Sequence, residues 1–133
     1  METAKKRLGN LGEDLACRHL EQLGHRILER NWRWSHLEID IISLDAEGLH
    51  FVEVKTRTTT FADPLQAVNM EKIRHVGRAA LQYKRFYGYT YDTHIDAIGI
   101  VFRSETDYDL HLIPDVHNNM TDYGYSSRRK KKS

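Results

Sequence analysis

Residues 36–56 read HLEIDIISLDAEGLHFVEVKT and contain two apolar runs separated by a short polar turn. The first run, His36–Leu44, carries three isoleucines, and the second, Leu49–Thr56, carries a phenylalanine and two valines. β-Branched and aromatic residues favour extended structure. The intervening Asp45-Ala46-Glu47-Gly48 has the composition of a turn. This segment therefore predicts two strong strands that are close enough in sequence to form a hairpin.

The elements on either side of this hairpin alternate between helix and strand. Leucines at helical spacing predict a first helix at Thr3–Leu23, which Gly24 ends. The other expected elements are a strand at His25–Trp32, a helix at Met70–Tyr87, and strands at His94–Phe102 and Tyr108–Ile113. The second helix is long enough for a right-handed crossover between parallel strands. The order α-β-β-β-α-β-β predicts an α/β domain of three layers, with a mixed central sheet flanked by helices.

The chain length of 133 residues suits one domain, which we assign to residues 1–115. Residues 116–133 form a polar, basic tail that ends in five consecutive bases, Arg128–Lys132. Without these bases, 15 basic and 19 acidic residues remain, so the rest of the chain carries a net charge of −4. The tail is either a solvated end that aids solubility or a loose contact to nucleic-acid phosphates through Arg128 and Arg129.

Composition also bears on the compartment. No apolar run approaches the roughly 20 residues of a membrane span, and the charged N-terminus is unlike a secretory signal. The single cysteine, Cys17, cannot form an internal disulfide, which fits a reducing cytosol. We therefore expect a cytoplasmic protein with no membrane partner.

The two strong strands carry a set of charged residues within apolar sequence. Alternation along a strand places Glu38 with Asp40 on one face, and Glu53 with Lys55 on one face. If the hairpin aligns these faces, three carboxylates and an ammonium converge, and carboxylates this close need a cation. Their hard oxygen atoms suit Mg²⁺ or Mn²⁺. The alternative is a solvent-facing row of charges that pair across the hairpin.

Four stretches resemble the PD-(D/E)xK nuclease superfamily, which has the restriction-endonuclease-like fold. Within it, the chain is most similar to the uncharacterised bacterial YraN-like family, which is related to archaeal Holliday-junction resolvases. The resemblance covers about residues 4–102. The matching stretches are Gly9–Ala16, Leu28–Arg33, Glu38–Ile42 and Phe51–Arg57, with weaker matches through Ala67–Tyr83 and at Ile95-Asp96.

This resemblance implies roles for five residues. Glu13 matches the glutamate on the first helix of the resolvases, and Asp40 matches their metal-binding aspartate. Glu53 and Lys55 match the glutamate and lysine of the signature, and the main-chain carbonyl of Val54 would be a further ligand. The implied activity is hydrolysis of phosphodiester bonds with Mg²⁺ or Mn²⁺ as cofactor.

Two further positions complete the comparison with the family. Glu38 matches a family glutamate that we interpret as a supporting residue. The family usually has glycine before Glu-Ile-Asp, whereas this chain has Leu37, which could narrow access to the site. The eight histidines show no ligand spacing, so we expect no zinc site.

Two groups of residues are candidates for nucleic-acid contacts, one just after the signature lysine and one on the second helix. Thr56 and Arg57 follow the signature lysine and could contact phosphate, or they could belong to a solvated loop. Lys72 and Arg74 mark a basic side of the second helix, which is either a solvated face or a contact to the DNA backbone.

The leading hypothesis is a Mg²⁺-dependent endodeoxyribonuclease that acts on DNA, including branched or damaged structures. The second is a nucleic-acid-binding module that keeps the fold but turns over weakly or not at all. The third is a protein-interaction adaptor. Fold alone does not choose among them. The resolvases work as dimers, so the resemblance is compatible with a homodimer, but the sequence does not settle the oligomeric state.

Overall fold

The computed structural model describes residues 2–58 and 70–116, which contain two helices and five strands. In chain order these are α1 (Ala4–Gln22), β1 (Arg26–Trp34), β2 (Leu37–Asp45), β3 (Gly48–Arg57), α2 (Met70–Tyr87), β4 (Thr93–Ser104) and β5 (Asp107–Ile113). Every predicted boundary lies within two residues of the observed one, which is the usual uncertainty of helix ends. The predicted order of elements is confirmed.

The five strands form one mixed sheet in the order β1-β2-β3-β4-β5. Strands β1, β2 and β3 pair antiparallel, and β4 pairs antiparallel with β5. Between them, β3 and β4 are parallel, from Leu49 beside Thr93 to Arg57 beside Val101. A parallel pair needs a long connection, and α2 lies in that connection. Strands β1 and β5 form the edges, and each pairing that involves an edge strand contains a register shift.

Helices cover both faces of this sheet. On one face, Ala16 and Leu20 of α1 pack against Ile41, Val52 and Ile98. On the other face, the apolar side of α2 packs against β2, β3 and β4; it consists of Ile73, Val76, Ala79, Ala80 and Tyr83. Strand residues covered on both sides are mostly apolar, as two buried faces require, and the buried polar exceptions are Ser43, His50, Glu53 and Asp96. The three-layer α/β fold predicted from the sequence is therefore the observed one.

Helix α1 approaches β3 closely at one glycine. The side chain of Thr3 accepts a hydrogen bond from the Lys6 N–H at 3.1 Å and caps the helix start. Gly24, with φ +99°, turns the chain out of the helix at its end. At Gly12 a Cβ atom would lie 2.3 Å from the Thr56 Cγ2, so only glycine allows this contact. The contact brings α1 against the end of β3.

The folded domain extends slightly further than the sequence indicates. Val116, which we had assigned to the tail, is 1% exposed and packs with the residues on the α2 side of the sheet. Residues 117–133, with Arg128 and Arg129, lie outside the described part of the chain. Neither α1 nor α2, the two helices described, has the length and apolar character to cross a membrane.

Candidate active site

The candidate site lies where β2 and β3 stop pairing. Their antiparallel register extends only as far as Ile41 opposite Val52. Just beyond that pair, the Asp40 carboxylate accepts a hydrogen bond from the Val54 N–H, with 2.8 Å between Oδ2 and N. The Asp40 side chain thus accepts a hydrogen bond from a main-chain N–H just beyond the point where β2 and β3 stop pairing. This bond fixes Asp40 beside the Glu53-Val54-Lys55 segment.

Glu53 is the most deeply buried carboxylate of the predicted set, at 4% exposure. Its Oε1 lies 3.2 Å from the Lys72 Nζ on α2. Its Oε2 is buried and has no hydrogen-bond partner among the described residues. A buried polar atom without a partner costs stability, so its retention needs an explanation such as a role in binding a cation.

The two carboxylates are poorly stabilised in their ionised form. Burial raises the pKa of Asp40, and the nearby charge of Glu13 raises it further. Burial also raises the pKa of Glu53, and the charge of Asp40 adds to that effect. Lys72 lowers both pKa values, but less than burial raises them. A divalent cation held by carboxylate oxygens would compensate these charges, so the residues present fit Mg²⁺ or Mn²⁺.

Glu13 and Glu38, the other predicted carboxylates, lie at the margin of this pair. The Glu13 carboxylate is 3.6 Å from the guanidinium of Arg30, which also contacts Asp14 at 2.9 Å. Glu38 is 3.8 Å from a guanidinium nitrogen of Arg33. Glu13 is near enough to raise the pKa of Asp40, but its role as a metal ligand stays a prediction.

Lys55 lines a different part of the surface from Lys72. It borders a groove of about 930 Å³ between the start of α1 and the end of β3. The groove is rich in basic and hydroxyl groups; its polar lining residues are Thr3, Lys5, Lys6, Lys55, Thr56, Arg57 and Thr58. Lys55, Thr56 and Arg57 are consecutive on β3 and line the groove together, and their predicted roles stay predictions. Lys5 and Lys6, which sequence reasoning missed, line the same groove. Both lysines lie in the basic first turn of α1, but the sequence did not indicate that α1 lies close to β3.

A second groove of about 470 Å³ opens on the α2 side of the carboxylates. Its charged and polar lining residues are Arg33, His36, Glu38, Asp40, Lys72 and His75. Leu37 also lines it, at the position where the family usually has glycine. Lys72, expected to contact DNA, therefore lies at the carboxylate site. Arg74 is exposed on α2.

The structure also brings together histidines that looked scattered in the sequence. His25, His50 and His94 lie in a row, with ring centroids 4.5 Å and 4.6 Å apart. His25 and His50 share Asp45, and His94 contacts Asp115. The cluster lies at the other end of the β2–β3 hairpin from Asp40. His25 and His50 are 25 residues apart in the chain, and His50 and His94 are 44 residues apart, so no local sequence pattern indicated this cluster.

Comparison with known proteins places the chain in a bacterial family. A family model described as "Uncharacterised protein family UPF0102" matches residues 12–100. A UPF0102 protein of Chlorobium chlorochromatii is 48% identical over 94 residues, which are 70% of this chain and 73% of that protein. One of Leifsonia xyli is 37% identical over 114 residues, or 84% and 97% of the two chains.

Other relatives match over a shorter stretch. A UPF0102 protein of a Mycobacterium species is 53% identical over 76 residues, which are 55% of this chain and 56% of that protein. The alignment thus spans about half of the mycobacterial relative. The matched residues 12–100 include Glu13, Asp40, Glu53 and Lys55. The chain therefore belongs to the uncharacterised protein family UPF0102.

Proposed function

We propose that this protein is a metal-dependent endonuclease that hydrolyses phosphodiester bonds in DNA, as a member of the PD-(D/E)xK nuclease superfamily. The observation that carries the proposal is the pair formed by half-buried Asp40 and buried Glu53, in which the Glu53 Oε2 has no partner among the described residues. Structural carboxylates are normally paired when buried. Two neighbouring carboxyl groups with raised pKa values, one of which lines a groove, are typical of a functional site.

The carboxylates and the lysine divide the work in this proposal. Asp40 and Glu53 would hold Mg²⁺ or Mn²⁺, with the Val54 carbonyl and Glu13 as further candidate ligands. The ion would polarise the phosphate and lower the pKa of a water molecule. Lys55, two residues beyond Glu53 on β3, would offset the negative charge that develops on the phosphate and orient the attacking water.

The groove along α1 suits the DNA backbone. Lys5, Lys6, Lys55 and Arg57 line one surface with three threonines, and these groups are the usual partners of phosphate oxygens. Contacts of this kind release counterions, so binding should weaken steeply with salt. They are independent of sequence, which fits a nuclease that recognises the shape of branched or damaged DNA. A protein of this kind works in the cytoplasm, where the bacterial chromosome lies.

A nicking assay tests the proposal. Purified protein is incubated with supercoiled, single-stranded and four-way-junction DNA in Mg²⁺ or Mn²⁺. We expect cleavage by the wild type and a loss on the order of 100-fold or more in both Asp40→Asn and Lys55→Ala. Asp92→Asn, an exposed aspartate after α2, is the matched control and should cleave normally.

Three outcomes would contradict the proposal in different ways. Cleavage that stays undiminished in Asp40→Asn and Lys55→Ala comes from a contaminant. Salt-sensitive DNA binding without any cleavage indicates the nucleic-acid-binding module instead. Neither cleavage nor binding indicates the protein-interaction adaptor.

A further inference from the structure

Three residues with metal-binding side chains meet at the end of the β2–β3 hairpin that carries its turn. His25 precedes β1, Asp45 ends β2, and His50 lies in β3. One ligand atom from each of the three lies within 4.8 Å of the others, and no other trio of such groups in residues 2–58 and 70–116 does so. His25 and His50 are nearly buried, with 7% and 8% of their side chains exposed. Asp45 is 20% exposed, so the cluster is reachable from solvent.

The two imidazoles present the same nitrogen to the same carboxylate. The Nε2 of His25 lies 3.3 Å from the Asp45 Oδ2, and the Nε2 of His50 lies 2.8 Å from the Oδ1. Both Nδ1 atoms face away and are hydrogen-bonded. That of His25 contacts the Ser43 Oγ at 2.8 Å, and that of His50 contacts the Asp96 Oδ2 at 2.7 Å.

We propose that His25, Asp45 and His50 form a second metal site, which binds a Zn²⁺-class divalent transition ion through two imidazole nitrogens and one carboxylate. Ligands about 2.0–2.1 Å from a tetrahedral Zn²⁺ lie roughly 3.3 Å apart. The two nitrogen–oxygen separations here are 3.3 Å and 2.8 Å, and the three ligand atoms all lie within 4.8 Å of one another. Imidazole ligands select ions of this class over Mg²⁺. With three protein ligands, a fourth position is left for water or another ligand.

The partners of the Nδ1 atoms support this assignment. A metal-binding histidine almost always donates its other ring N–H to a carboxylate, a backbone carbonyl or water, which fixes the ring. Asp96 is this partner for His50, and the Asp115 N–H in turn donates to the Asp96 Oδ1 at 2.8 Å. Asp96 is 3% exposed. Two carboxylates around largely buried imidazoles supply the negative charge that a bound dication requires.

His94 is a natural comparison within the same row. It stacks on His50 at 4.6 Å, yet both its nitrogens are occupied elsewhere. Its Nδ1 contacts Asp115 at 2.8 Å, and its Nε2 contacts the Glu47 carbonyl at 3.0 Å. It is therefore a histidine of similar setting that should not be a ligand.

The proposed site is separate from the candidate active site. His50 and Glu53 are three residues apart on β3, which is roughly 10 Å along a strand. The donor sets also differ, since the active-site carboxylates offer only oxygen. The two proposals can therefore fail independently.

Binding of Co²⁺, a spectroscopic substitute for Zn²⁺, tests the site. The full chain is stripped with a chelator and titrated with Co²⁺ while visible absorption is recorded. We expect one tightly bound ion with the intense bands of a tetrahedral site, displaced by Zn²⁺. Affinity should fall on the order of 100-fold or more in His25→Gln and in His50→Gln, and about 10–100-fold in Asp96→Asn. His94→Gln should bind as the wild type does, because both its ring nitrogens are occupied outside the proposed site.

Other results would overturn the proposal. It is wrong if the wild type binds no Co²⁺ stoichiometrically, or if His25→Gln and His50→Gln both bind unchanged. Loss of binding in Glu53→Gln with retention in the histidine variants would place the ion at the carboxylates. X-ray absorption of the Zn²⁺-loaded wild type needs no variant. Two imidazoles with oxygen ligands support the site, and any other first coordination sphere contradicts it.

Discussion

Replacing Glu53 by glutamine should stabilise the metal-free protein at alkaline pH. Burial and the charge of Asp40 raise the pKa of Glu53 from 4.5 to about 7. At about 1.4 kcal/mol for each pH unit between folded and unfolded pKa values, the ionised carboxylate costs the fold about 3 kcal/mol. Glutamine keeps the shape and removes the charge. The ion pair between Lys72 and Glu53 is lost, but with 44% of the Lys72 side chain exposed that loss is about 1 kcal/mol or less.

The sign of the pH dependence follows from proton binding. Between pH 4.5 and about 7 the folded protein holds a proton on Glu53 that the unfolded chain releases. The stability of the wild type therefore falls as pH rises through this window, whereas Glu53→Gln lacks this decline. The variant should exceed the wild type by about 2 kcal/mol more at pH 8 than at pH 5.

Urea unfolding at pH 5 and pH 8 in the presence of a chelator measures this difference. Glu21→Gln, at an exposed position near the end of α1, is the matched control and should show no such pH-dependent gain. Adding Mg²⁺ at pH 8 should stabilise the wild type and leave Glu53→Gln nearly unchanged, because the ion favours the ionised carboxylate. An equal effect of Glu53→Gln at both pH values would refute the electrostatic argument.

Two other predictions concern α1. Gly12→Ala should lose about 1–2 kcal/mol of unfolding free energy, since its Cβ meets the Thr56 Cγ2; adding Thr56→Ser should recover most of it. Gly9→Ala should instead gain up to about 1 kcal/mol, because no heavy atom of the described residues, apart from its chain neighbours and its own helix backbone, lies within 4 Å of the added Cβ. Urea unfolding of the three variants measures these changes, and the opposite ranking would contradict them. Burial raises the pKa of the Cys17 thiol, so a disulfide reagent should modify it slowly in the native protein and rapidly in urea; equal rates would contradict this.

Local patterns in the sequence were sufficient to predict the elements of the fold. The His36–Thr56 segment encodes its hairpin through apolar runs and a turn that are close together, so both strands could be located without tertiary information. The crossover helix was predicted from its own periodicity. These signals depend on neighbours within a few residues, which is why they are visible in one sequence.

The details of the site depend on contacts that no local pattern specifies. The end of the β2–β3 register, which turns the Asp40 carboxylate toward the Val54 N–H, is set by packing of the whole sheet. Lys72 reaches Glu53 only because α2 crosses the sheet face, so its role beside a carboxylate was not foreseen. His25 and His50 likewise meet through strand pairing rather than through spacing in the chain.

The two edge strands bear on how copies of this protein could associate. An open sheet edge is a template for pairing with another chain, and proteins block it with charges and irregularities. Here β1 carries Arg26 and Arg33 at exposed positions and shifts register between Ile27 and Glu29. The other edge, β5, is mostly exposed and begins with an ion-paired aspartate. We therefore expect any dimer to form through helix or loop surfaces rather than by continuing the sheet, a distinction that chemical cross-linking can make.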